Sequence, residues 1–106
     1  MPKFLVQGSY TSQGAAGLLK EGGTSRQETV TALIEGLGGS VESWYYGYGN
    51  TDVYVIADAP DDETMVAVAL AVGASGAVNL TTTVLLEPSV IDGASKKLVN
   101  YRAPGA

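Results

Sequence analysis

Residues 41–59, VESWYYGYGNTDVYVIADA, carry the pattern from which the architecture can be read. Two runs rich in aromatic and β-branched residues, Val41 to Tyr48 and Asp52 to Ala59, flank Gly49-Asn50-Thr51. Gly and Asn tolerate the positive φ that hairpin turns often require, so the runs read as an antiparallel strand pair. Alternation along a strand sends Trp44, Tyr46 and Tyr48 to one face and Tyr45 to the other. So aromatic a strand belongs in a core, at a subunit interface or along a ligand cavity.

The flanking segments extend the pattern. Lys3 to Tyr10 (KFLVQGSY) alternates Phe4, Val6, Gly8 and Tyr10 against Leu5, Gln7 and Ser9, which predicts a first strand. Thr11 to Gly23 is glycine-rich and reads as a loop with a short helical turn around Ala15 to Lys20, because each helical glycine costs about 1 kcal/mol against alanine. Ser25 with Glu28 forms a capping-box signature, and Val30, Leu33, Ile34 and Leu37 follow at helical spacing up to Gly38-Gly39. Asp61 is placed to cap a second helix whose apolar residues include Met65, Val66, Val68, Leu70 and Val72. Ala77 to Leu86 alternates as a fourth strand, and Pro88 opens a last short helix with Val90, Ile91, Ala94 and Leu98 on one side.

The resulting order, βαββαβ plus a C-terminal helix, predicts an α+β, ferredoxin-like fold with a four-stranded antiparallel sheet. One domain is expected over residues 1–106, with a core to residue 99 and a tail from residue 100. Two helices cover only one sheet face. Leu5, Trp44, Tyr45, Tyr46, Tyr54, Ile56 and Leu85 cannot all fit beneath them, so a second sheet from another subunit is the expected cover. The 45% hydrophobic and 16% charged composition, high and low for a domain with so much surface, points to a subunit interface in the same way.

Composition also narrows the chemistry. The chain has no cysteine and no histidine, which excludes disulfides, thiolate chemistry, the usual zinc sites, proximal-His or Cys haem ligation and a Ser-His-Asp triad. A net charge of −5 disfavours nucleic acid and anionic lipid as partners. No apolar run approaches membrane-spanning length and MPKFLVQGSY lacks the apolar core of a signal peptide, so a soluble cytoplasmic protein is expected.

Taken together, KFLVQGSYT, the glycine-broken loop, the helix ending in LGG, the G-x-x-D at Gly49 to Asp52, the strand VYVIADAPDDE and GAVNLTTTVLL resemble a GYD-domain protein over almost the whole chain. Thr51 stands where the namesake Gly-Tyr-Asp pattern has its tyrosine. The resemblance implies a dimeric α+β barrel in which two ferredoxin-like subunits pack sheet against sheet. Its relatives include cofactor-free monooxygenases, haem-using enzymes and small stress-response proteins, so it implies an assembly and no particular reaction.

Within such a barrel Trp44, Tyr46 and Tyr48 are expected to line an aromatic wall, and the expected ligand-binding residues are Trp44, Tyr46 and Tyr54 with Gln7, Ser9, Thr81 and Thr83 as polar groups; Asn79 belongs to the same polar row. The alternatives are that the rings pack in the core or interface and that the polar residues satisfy one another across strands. Asp58, if desolvated beside Tyr54 and Ile56, is a candidate general base, with Tyr46 as a second proton-handling group. Lys20 to Arg26 (KEGGTSR) reads either as an anion site at a helix start or as a plain cap, and Asp52 as a brace for the turn. No calcium-site spacing occurs among Asp61, Asp62 and Glu63, so no metal and no cofactor are expected. The expected function is a small-molecule-binding or regulatory homodimer, or higher homo-oligomer, for a small apolar or aromatic ligand. The alternatives are a cofactor-independent monooxygenase-like enzyme and a structural assembly subunit.

Overall fold

The computed structural model describes every residue from Met1 to Ala106. Its elements are β1 (Lys3–Tyr10), α1 (Ser12–Glu21), α2 (Gly23–Gly36), β2 (Ser40–Tyr46), β3 (Val53–Asp58), α3 (Asp62–Ala74), β4 (Val78–Leu85) and α4 (Pro88–Ser95). The strands form one antiparallel sheet in the order β2-β3-β1-β4, the ferredoxin-like arrangement. No helix is long and apolar enough to cross a membrane.

One sheet face carries the core. Phe4 and Val6 of β1 and Val53, Val55 and Ala57 of β3 are buried with Ala59, Ile34 of α2 and Met65 of α3. Gly8 continues this face, and its lack of a side chain is a packing requirement: a Cβ there would come within 2.9 Å of Val53. In β2 the register shifts between Val41 and Ser43. That bulge brings Val41 and Trp44, three residues apart, onto the same core, where unbroken alternation would separate them. The opposite face is open, with Leu5, Gln7, Tyr45, Tyr54, Ile56, Thr81 and Thr83 on it by register.

Three elements differ from the sequence expectations. The glycine-rich segment forms a ten-residue helix, α1, instead of a loop with a single turn. Its stability comes from a distant anchor: Thr11 Oγ1 accepts the Gly14 N–H at 3.2 Å and donates to the Gly76 carbonyl at 2.8 Å, and Thr11 N–H donates to the Ala77 carbonyl at 3.0 Å. The next helix begins at Gly23, two residues before the expected Ser25 cap. Gly22, at φ +88, turns the chain directly from α1 into α2, so Ser25 lies inside the helix and donates to Glu21 instead. Finally, β2 ends at Tyr46, and Tyr48 stands fully exposed in the hairpin loop, closed by Gly47 N–H donating to the Asp52 carbonyl at 2.7 Å.

Other local readings hold. Asp61 caps α3, accepting from the Thr64 N–H at 2.8 Å and the Thr64 hydroxyl at 2.7 Å, and these bonds hold its carboxyl below the usual range. Pro88 opens α4. Every residue of α4 and of the following tail is exposed. The radius of gyration, 17.1 Å, exceeds the roughly 13 Å of a compact chain of this size, and the longest dimension is 55 Å. The C-terminal segment projects as an arm.

The contact of α1 with the start of β4 yields a paired prediction. A Cβ on Gly14 would lie 1.9 Å from the Ala77 carbonyl oxygen, whereas one on Gly17 would meet nothing within 4 Å. Gly14→Ala is expected to destabilise the fold by about 1–3 kcal/mol through overpacking. Gly17→Ala is expected to stabilise it by roughly 0.5–1 kcal/mol through helix propensity. Urea midpoints of the two variants against the parent measure both, and equal shifts would contradict the account.

Candidate functional site

Two surfaces hold the residues singled out in the sequence. On the open face, the register aligns Tyr45, Tyr54, Gln7 and Thr81 in one row across β2, β3, β1 and β4, and Ser43, Ile56, Leu5 and Thr83 in the next. Ser9 pairs with Asn79 beyond them, and its hydroxyl donates to the Asn50 carbonyl at 2.6 Å. At the other end Lys3 lies between two carboxylates: Nζ donates to Asp58 Oδ1 at 3.0 Å and also bonds Glu42. Glu42 foremost, then Asp58, hold the Lys3 ammonium above its ordinary value. Asp58 does share a face with Tyr54 and Ile56, but it has a resident cation.

Trp44 and Tyr46 lie on the other side of the sheet. The seven ligand-site residues expected from the sequence therefore divide: Gln7, Ser9, Tyr54, Thr81 and Thr83 belong to the open face, Trp44 and Tyr46 to the helix side. Trp44 packs against the core, and Tyr46 meets it edge-on, with ring centroids 6.0 Å apart at 67°. The Tyr46 hydroxyl donates to the Gly23 carbonyl at 2.9 Å, and the ring packs so close to Gly23 that a Cβ there would sit 3.0 Å from it. This contact ties the end of β2 to the start of α2.

Next to it lies a group of side chains that sequence reasoning did not assemble. Tyr10, at the end of β1, borders three hollows. A narrow apolar cleft of about 50 Å³ runs between the helices and the sheet, lined among others by Arg26, Val30, Trp44 and Val72. A wider one of about 300 Å³ is bounded by Gln13, Leu18, Glu21, Arg26 and Ser75. A third, about 480 Å³, is bounded by Leu18, Leu19, Tyr46 and Asp52. The two wider hollows fall in the range of small-molecule sites. They exist because α1 leans over the end of the sheet, and α1 was read from sequence as mostly loop.

The electrostatics of this group are one-sided. Burial first, then the neighbouring Tyr46, raises the Tyr10 phenol above its ordinary value of 10.0, while Arg26 draws it down. At neutral pH Tyr10 is therefore a neutral phenol, able to donate and to accept a hydrogen bond, and not a phenolate base. Arg26 is a permanent cation with donors only, and Trp44 Nε1, also a donor, is buried with no acceptor. The nearby carboxylates have partners: Asp52 Oδ2 accepts the Tyr10 N–H at 2.8 Å, and Glu21 accepts from Ser25 at 3.4 Å. Asp52 thus braces the hairpin against β1, from outside the turn itself. A signal for Tyr10 was available in the sequence, since it follows Phe4, Val6 and Gly8 on the same alternating face; Arg26 had none beyond its place in KEGGTSR.

The GYD domain matches residues 4–94, and the chain belongs to that family. Comparison with curated proteins and with solved structures finds no match.

The environment of Tyr10 sets a pH dependence. Its folded-state value lies above the unfolded value, so its contribution to stability is complete below about pH 10 and is lost as pH rises through the folded value. Tyr10→Phe is expected to remove a phenolate absorbance step lying above 10.0 and to flatten the alkaline fall in stability. An unchanged phenolate titration in the variant would contradict the assignment.

Proposed function

We propose that this GYD-domain protein binds a small molecule whose apolar body lies in the wider hollow beneath α1 and whose anionic or acceptor group enters the narrow cleft between α2, α3 and the sheet, at Tyr10, Arg26 and Trp44. The observation that carries the reading is the convergence of three donors, one of them the buried and unpartnered Trp44 Nε1, on an apolar hollow. A buried donor without a partner costs about 1–3 kcal/mol, which an acceptor on a ligand would recover. Tyr10 is a neutral phenol, Arg26 a permanent cation and the Trp44 indole no base, which favours binding over proton abstraction, so a sensor, carrier or regulatory role fits better than the monooxygenase-like alternative. Asp58, expected as a base, is on the opposite face and paired with Lys3.

The open face is the proposed pairing surface of a homodimer. Tyr45 and Tyr54 are exposed and Leu5 and Ile56 half-exposed there, an apolar area interrupted by Gln7, Thr81 and Thr83 that a second sheet would cover. Only 12 of 106 residues are buried within one chain, which supports the need for further burial. Tyr54→Glu, placing a charge at the middle of that face, is expected to weaken self-association at least tenfold in sedimentation equilibrium. No change would remove the open face from the assembly.

Trp44 is the only tryptophan, so its fluorescence reports the site directly. Titration with benzoate and phenylacetate is expected to give a saturable change, with benzyl alcohol much weaker. Arg26→Ala is expected to weaken carboxylate binding about tenfold, ~1.4 kcal/mol. Equal responses to acid and alcohol, or no effect of Arg26→Ala, would refute the anion-binding reading.

A further inference from the structure

The C-terminal arm is an eight-residue helix followed by eleven further residues, and it finds no packing surface in its own chain. Helices this short are unstable in water unless they dock, so its apolar residues need a receiving surface. Val90, Ile91, Leu98, Val99 and Tyr101 are all substantially exposed. The arm also differs in charge from the rest. Residues 96–106 hold Lys96, Lys97 and Arg102 and no acidic side chain, a side-chain charge of +3, so the chain's −5 leaves −8 on residues 1–95; Asp92 is the arm's single acidic side chain.

The outer flank of α3 has the complementary features. Asp62, Val66 and Leu70 lie at successive i, i+4 positions on one stripe, Val66 is 54% and Leu70 69% exposed, and Glu63 adds a second carboxylate at the same end. On α4, Val90 and Ala94 repeat the i, i+4 spacing, and Lys96 and Lys97 follow at and just beyond its C-cap. An antiparallel pairing sets Val90 against Leu70, Ala94 against Val66, and Lys97 against Asp62 and Glu63. It also places the two helix dipoles head to tail.

The arm of the same chain does not reach this arrangement. Leu85 and Asp58 both pair with Lys3, so β4 ends, and α3 begins, at the same end of the sheet. With only Leu86 and Glu87 between β4 and α4, folding back would run α4 parallel to its own α3. Glu87 would then face Asp62 and Glu63, and the lysines would face the uncharged far end. We infer that α4 docks instead on the α3 flank of a second copy of this chain, antiparallel, with Lys96 and Lys97 on that copy's Asp62 and Glu63. Reciprocal exchange of arms closes a two-fold dimer. The inference shares self-association with the proposed pairing across the open face but uses a different surface.

Because the chain has no cysteine, the contact can be tested by single thiols. Ala94→Cys and Val66→Cys chains, mixed and treated with a short bifunctional thiol reagent, are expected to yield a linked heterodimer. Lys96→Glu with Lys97→Glu is expected to reduce the yield about tenfold, and adding Asp62→Lys with Glu63→Lys on the partner to restore it. Tyr54→Glu, which disturbs the sheet face, is expected to leave the link in place, so the two readings fail separately. An unlinked mixture of folded chains, a link formed within one chain carrying both cysteines, or a yield indifferent to charge reversal would overturn the inference.

Discussion

Packing of Phe4, Val6, Val53, Val55 and Ala57 from the two central strands against Ile34 and Met65 is the interaction on which everything else in this molecule depends. Burial of apolar surface is the main favourable term in folding, and here it is concentrated on one sheet face and a single stripe of each of two helices. No polar or charged residue is fully buried, and the one buried side-chain polar atom left without a partner is Trp44 Nε1 at the edge of this core. The consequence is a chain whose remaining apolar residues lie outside the core: on the open face, along the outer stripe of α3 and on the C-terminal arm. The proposed assembly would cover these surfaces.

The β2 bulge and the lean of α1 turn that scaffold into a site. The bulge shifts the phase of the aromatic strand, so Trp44 joins the helix-side core and Tyr45 is left outside. Tyr46 then bonds to the first residue of α2, which holds Arg26 in the following turn beside the end of β1. With α1 anchored through Thr11 to Ala77, Tyr10 is enclosed enough for burial to raise its phenol. Glu21 and Asp52 border the wider hollows, and one oxygen of each accepts a bond from the protein itself.

Much of the architecture was legible locally. The Asp61 cap, the Pro88 helix start and the alternation of Lys3 to Tyr10 each follow from short-range rules, and the element order leads to the ferredoxin-like arrangement; the β2–β3 connection lies where it is expected, but without positive φ at Gly49 or Asn50. The candidate site was less legible. Tyr10 and Arg26 are separated by a helix that local propensity undervalues, since α1 owes its existence to hydrogen bonds with residues more than sixty positions away. Trp44 and Tyr46 were correctly placed on a common side, but their grouping with Gln7 and Thr81 was not, because Gln7 and Thr81 lie on the open face.

The sequence by itself determined that each strand has two distinct faces, that two amphipathic helices lie between the strands, and that the apolar total exceeds what those helices cover. It contained no label saying which face the helices take, because alternation with period two is symmetrical and both faces of β1, β2 and β3 hold apolar residues. Only tertiary structure broke that symmetry. The close approach that Gly8 permits, the extra residue at the β2 bulge and the crossing of α1 over the sheet end bring distant segments into contact, and no local pattern encodes the distances involved.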